Sequence, residues 1–113
     1  MDPDCLFCKI VAGEIPGDIV LETERTLAFR DINPQAPTHV LVVPRSHVPT
    51  APELAESDPT TFAELFTTAR DVAAGEGLDG YRLVFNTGAS AGQVVFHAHL
   101  HVIGGRGLGW PPG

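Results

Sequence analysis

The chain has 113 residues, with 14 acidic against 7 basic side chains, a formal net charge of -7 at pH 7 and 43% hydrophobic residues. That length suits one domain, residues 1–113, with a single core and enough apolar surface left over to keep oligomerisation open. The acidic balance and the lack of any Lys/Arg cluster speak against a binder of long nucleic acids, while a small anionic ligand held by local dipoles stays open.

The opening Met1-Asp2-Pro3-Asp4 is acidic and no apolar run follows it. Neither a signal peptide nor a membrane-spanning segment is therefore expected, and the cytoplasm is the default location. Cys5 to Ala12 predicts a short helix ending near Gly13, with Ile15-Pro16-Gly17 as the turn that follows. Ile19 to Glu22 and Thr26 to Arg30 carry the β-branched and aromatic residues that fit a pleated surface, and predict a hairpin. Asp31 to Pro37 is a proline-punctuated loop. The run His39-Val40-Leu41-Val42-Val43, stopped by Pro44, predicts a central strand covered on both faces.

Asp58 followed by Pro59 is a helix start, an N-cap and then the interior position that proline tolerates. Phe62, Leu65, Phe66, Ala69, Val72 and Ala73 fall on one stripe of a helix that runs to about Ala74. Tyr81 to Asn86 predicts a strand, Thr87 to Gly92 a loop, and Val94 to Ile103 a last strand. Gly75-Glu76-Gly77-Leu78-Asp79-Gly80 spells the dinucleotide-binding G-x-G-x-x-G. That fingerprint needs a strand before it and a helix after it, and the order here is reversed, so these glycines end a helix and make a turn. The whole predicts an α+β fold: a five-stranded antiparallel meander covered by one long helix, with a short N-terminal helix and an irregular tail over residues 104–113.

Within the last predicted strand, His97, His99 and His101 alternate, which puts three imidazoles on one face at a spacing of ~6.6 Å. Val or Ile would stabilise a half-buried strand better, because each buried ring nitrogen needs a partner. Two chemistries account for them. The histidines can hold a catalytic zinc with one open position, or a neutral imidazole can attack phosphorus or carbon while its neighbour donates to the charged oxygen or leaving group. Cys5-x-x-Cys8 spans one helical turn, so both thiols lie on one side, either packed as small apolar groups or as two ligands of a tetrahedron that His47 and one of the three histidines complete. A thioredoxin-like redox role is weaker, since no βαβ pattern surrounds the pair.

His97-Ala98-His99-Leu100-His101-Val102-Ile103 resembles the H-φ-H-φ-H-φ-φ signature of the histidine triad superfamily, where φ is apolar. The likeness to its nucleotide-binding branch extends to Cys5-Leu6-Phe7-Cys8-Lys9-Ile10, Phe29 to His39, Tyr81 to Gly88, and Gly104-Gly105-Arg106 with Trp110-Pro111-Pro112-Gly113. Five motifs in the right order cover nearly the whole chain.

The resemblance implies hydrolysis of purine nucleoside 5′-phosphoramidates or related adenylates through a nucleotidyl-histidine intermediate. It makes His99 the nucleophile, with His101 and His39 assisting. It assigns Asp31 to the ribose hydroxyls, and Phe7, Ile10, Ile15, Phe29 and Ile32 to an apolar slot for the base. Asn86 is to touch ribose or phosphate, and Gly92-Gln93-Val94 to aim backbone N–H groups at the phosphate. Relatives usually carry Ser or Thr where this chain has Val94, so weaker turnover is expected. The resemblance further implies a structural zinc on Cys5, Cys8, His47 and His97, no organic cofactor, and a two-fold homodimer in which the Trp110 tail meets the partner subunit. Two alternatives stay open: a binding or interaction module of low turnover, and a zinc hydrolase with the three histidines as ligands.

Overall fold

The computed structural model describes residues 2–113, so Met1 of the acidic opening lies outside them. Its elements in chain order are α1 (Leu6–Val11), β1 (Ile19–Glu22), β2 (Thr26–Arg30), β3 (Thr38–Pro44), α2 (Ala51–Ser57), α3 (Pro59–Gly75), β4 (Tyr81–Val84) and β5 (Leu100–Gly104). The five strands form one antiparallel sheet in the order β1-β2-β3-β5-β4. The α+β class and the antiparallel sheet are as expected, and one feature departs from a simple meander. The chain leaves β3, runs through both helices, and returns on the far edge as β4. β5 then inserts between β4 and β3.

β3 is buried along its whole length because its two faces serve two cores. Val40 and Val42 join Leu65, Ala69 and Val72 of α3, whereas Leu41 and Val43 join Phe29 and, from α1, Phe7 and Cys8. Helix α3 is capped by Asp58, whose side chain accepts from the Thr61 N–H, and Pro follows the cap. Its buried face departs from the expected stripe. Phe66 stays 38% exposed, while Thr61 and Thr68 are buried. The hydroxyls are tolerated because each has a partner, Thr61 with Asp58 at 2.6 Å and Thr68 with Thr26 at 2.9 Å.

Helix α2 was not expected. Thr50 accepts from the Glu53 N–H and donates to the Glu53 carboxylate, and Pro52 occupies the first turn. Thr50-x-x-Glu53 is the sequence signal that announces it. The G-x-G-x-x-G stretch does follow a helix and precede a strand, with Gly77 at φ +69 in the turn. Among the described residues no helix is long and apolar enough to cross a membrane.

The histidine segment is the main correction. The last strand begins at Leu100, not Val94, so only His101 of the three sits in the sheet. Residues 93–99 have no strand beside them. They are tied instead to the loop after β3, the Ala98 N–H to the Val48 carbonyl at 2.7 Å and the Gln93 side chain to the Pro49 carbonyl at 2.8 Å. β4 ends at Val84, short of the expected Asn86, because its ladder with β5 stops at the Val84–His101 pair and β5 supplies only Leu100 beyond it.

Candidate active site and metal cluster

Register aligns Phe29 of β2 with Leu41 of β3, and Leu41 with His101 of β5, so these side chains form a row across one face of the sheet. Over this row lies a cavity of about 840 Å³. His99, His101, Asp31 and Asn86 line it. Phe7 and Ile10 of α1, Phe29 and Ile32 supply apolar surface, and Gly92 and Val94 stand at its edge. Ile32 and Val94 are 97% and 86% exposed, so each offers its side chain freely to whatever enters.

Ile15 and Gln93, both expected in this group, do not line the cavity. Gln93 is buried and holds its loop together. Its Nε2 donates to the Pro49 and Val95 carbonyls, and its Oε1 accepts from the Gly88 N–H. The Gly92 and Gln93 N–H groups are spent on the Ala89 and Gly88 carbonyls. Of the three backbone donors expected to face a phosphate, Val94 alone has no acceptor among the described residues.

The hydrogen bonds fix the tautomer of each imidazole. His99 Nδ1–H donates to the His97 carbonyl at 2.8 Å, which leaves Nε2 as a free lone pair. The Gln35 N–H donates to His39 Nδ1 at 3.0 Å, so the His39 proton is on Nε2. That proton is donated to His101 Nδ1 at 2.9 Å, with the Asp31 carboxylate 3.4 Å from the same His39 nitrogen. His101 must then carry its proton on Nε2, a buried donor without a partner among the described residues. An orphaned buried donor beside a cavity can be satisfied by an acceptor that enters it.

Burial holds His97 and His99 below the ordinary histidine range. His101 is pushed down to about 4, by burial first and then by His99 and His39. These imidazoles are therefore neutral at pH 7, as a nitrogen nucleophile has to be. The ring of Phe7 stands edge-on to His99, 5.0 Å between centroids.

The third histidine faces elsewhere. His97 is fully buried, and its Nδ1 lies 3.4 Å from Cys5 Sγ, 3.5 Å from Cys8 Sγ and 3.3 Å from His47 Nδ1, while Cys8 Sγ lies 3.3 Å from His47 Nδ1. A tetrahedral ion with two thiolates and two imidazoles has edges of ~3.3 Å between nitrogens and ~3.5 Å between nitrogen and sulfur. The four atoms therefore fit one metal ion, and His97 Nε2–H donates to the Pro44 carbonyl at 2.8 Å, which leaves Nδ1 free as a ligand. Asp31, His39 and His101 also converge. Their 2.9 Å nitrogen–nitrogen contact is shorter than the ~3.3 Å edge of two ligands on one ion, and it is a hydrogen bond. The three alternating histidines thus point to three different partners and do not converge on one ion.

Known proteins are similar to this chain in sequence or in fold. An uncharacterised HIT-like protein of Synechococcus elongatus is 47% identical over 114 residues, with 100% of both chains covered. The crystal structure of a HIT family hydrolase from Legionella pneumophila superposes with a TM-score of 0.93 at 50% identity, over 97% of this chain and 100% of that one. A histidine triad nucleotide-binding protein from Candida albicans superposes with a TM-score of 0.83 at 33% identity, over 96% of this chain and 83% of that one. The HIT domain pattern matches residues 12–108, and with these relatives it establishes that the chain belongs to the histidine triad family.

Proposed function

We propose that the protein is a hydrolase that cleaves the bond at the α-phosphate of a purine nucleoside 5′-phosphoramidate or a related nucleotide conjugate. The observation that carries this reading is the pairing of a neutral His99, its Nε2 lone pair free, with the orphaned Nε2–H of His101 beside the same cavity. His99 Nε2 attacks phosphorus as the P–N bond breaks. The amine leaves with that bond's electron pair and takes a proton from water. The hydroxide left by that water then attacks phosphorus, the P–Nε2 pair returns to His99, and the nucleoside monophosphate leaves. His101 Nε2–H and the Val94 N–H donate to the phosphoryl oxygens as their charge grows. Asp31 accepts from the ribose hydroxyls, and the base lies among Phe7, Ile10, Phe29 and Ile32.

Support from relatives is twofold: the Legionella protein is described as a hydrolase, the Candida protein as nucleotide-binding. In this reading Cys5, Cys8, His47 and His97 hold a structural zinc. The ion supplies the positive charge that keeps two buried thiolates together and fixes α1 to the segment before β5. The functional unit is a homodimer in the cytoplasm, with the Trp110 tail against the partner subunit.

Brief reaction with a phosphate-labelled nucleoside phosphoramidate, followed by acid-free denaturation, should leave label on the wild-type chain and none on His99→Ala. Equal labelling of both would overturn the assignment of the nucleophile. A second reading, a binding module of low turnover, is favoured by Val94, which has no hydroxyl to offer the leaving group.

A further inference from the structure

The row of side chains that begins at His101 continues past Phe29 to the edge of the sheet, where Phe29 pairs with Ile19 of β1. From His101 to β1 is three strand spacings, ~14 Å. A ligand with its phosphate at His101 and its sugar at Asp31 therefore extends a flat base over Leu41 and Phe29 toward β1. The end wall there is Pro16-Gly17-Asp18, which lines the same cavity. Gly17 lies so close to the apolar floor that a Cβ on it would meet Ile10 Cγ2 at 3.0 Å.

Asp18 and Arg30 are the charged residues at this end, both also lining a smaller cavity on the α3 side of the sheet, and they are not equally available. Arg30 donates through Nη1 and Nη2 to the two oxygens of Glu76, at 2.8 and 3.2 Å. Its remaining Nε lies 3.7 Å from Asp18 Oδ2. The guanidinium is thus committed on both sides. Its contact with Asp18 is long and solvated, and the 73% exposed Asp18 side chain, with no other ion pair or hydrogen bond among the described residues, is free to turn to a ligand. The irregular register between Ile19 and Leu21 is the kind of bulge that re-aims side chains at the edge of a sheet.

We propose that Asp18 is a specificity-determining residue that selects a guanine base. An ionised carboxylate only accepts hydrogen bonds. Guanine presents two adjacent donors, N1–H and the N2 amino group, which one carboxylate can take together. Hypoxanthine presents N1–H alone. Adenine presents its N6 amino group beside the N1 lone pair, which the carboxylate repels. The order expected at Asp18 is therefore guanine, hypoxanthine, adenine. This inference rests on the nucleotide reading of the cavity.

Calorimetric titration of the full chain with GMP, IMP and AMP separates the two. GMP should bind about five- to tenfold more tightly than AMP, a modest ratio because the carboxylate is solvated, with IMP between them. In Asp18→Ala the ratio of GMP to AMP should fall to within about twofold, and Asp18→Asn, which adds a donor, should move the ratio toward AMP. AMP binding as tightly as GMP to the wild type, or a wild-type ratio that survives in Asp18→Ala, overturns the role of Asp18 and leaves the nucleotide reading standing. Failure of all three nucleotides to bind overturns both.

Discussion

Each histidine of the triad takes its role, directly or through His39, from a backbone group. His97 is aimed by the Pro44 carbonyl, His99 by the His97 carbonyl, and His39, which aims His101, by the Gln35 N–H. A sequence does not display such groups, so alternation was legible as three imidazoles near one place, and their division of labour was not legible from spacing. Val94 is the residue where the expected chemistry is thinnest. Its N–H has no acceptor among the described residues and it lines the cavity, but it has no hydroxyl to donate as the leaving group departs. Loss of one such donor costs about one to three powers of ten in turnover. Val94→Ser should therefore raise kcat by at least about tenfold, with a smaller change in KM, since the recovered bond acts in the transition state. A Val94→Ser enzyme no faster than its parent shows that the hydroxyl is dispensable here.

Among the elements, α1 shows what spacing alone specifies. Cys5 caps it, its Sγ accepting from the Cys8 N–H at 3.4 Å, and six helical residues are too few to persist without tertiary support. That support comes from the cysteines and from Phe7 between them, whose ring contacts Phe29, His97 and His99. The same short helix and its cap thus carry the two thiols that meet His47 and His97, and one wall of the cavity. Its limits were legible to within a residue, because Cys-x-x-Cys and the turn after it are local signals. The segment before β5 read as a strand because its side chains alternate, yet its backbone partners lie in a loop, and periodicity says nothing about partners. Protein purified without chelator should contain about one zinc per chain. Stripping it, or substituting Cys8→Ser, should accelerate amide hydrogen exchange across residues 6–11 by at least about tenfold, while β3 stays protected. Nucleotide affinity should fall in parallel as Phe7 and Ile10 loosen. A zinc-free preparation with α1 equally protected would remove the metal from the account.

For the whole molecule, what matters for assembly is the sheet edge and the tail. β4 pairs with β5 on one side only, and an unpaired edge is a place where another chain can add. Arg82, on this strand, donates to the Gly109 carbonyl at 2.8 Å and so lays the tail beside the edge. The tail carries the chain's one tryptophan, Trp110, 84% exposed in the single chain. An indole left in water without local core is the kind of side chain that anchors an interface, and a second copy of the chain presents the same edge and tail by two-fold symmetry. Sedimentation should therefore find a dimer. Because there is one indole, its emission reports the contact directly: dilution through the dissociation range should shift it to longer wavelength. Trp110→Ala should raise the concentration at which dimers form by about tenfold or more, while the melting behaviour of the isolated fold, whose core does not include residue 110, stays close to wild type. Full activity in a species that sediments as a monomer at every concentration, with emission unchanged on dilution, would mean that the tail serves its own chain alone.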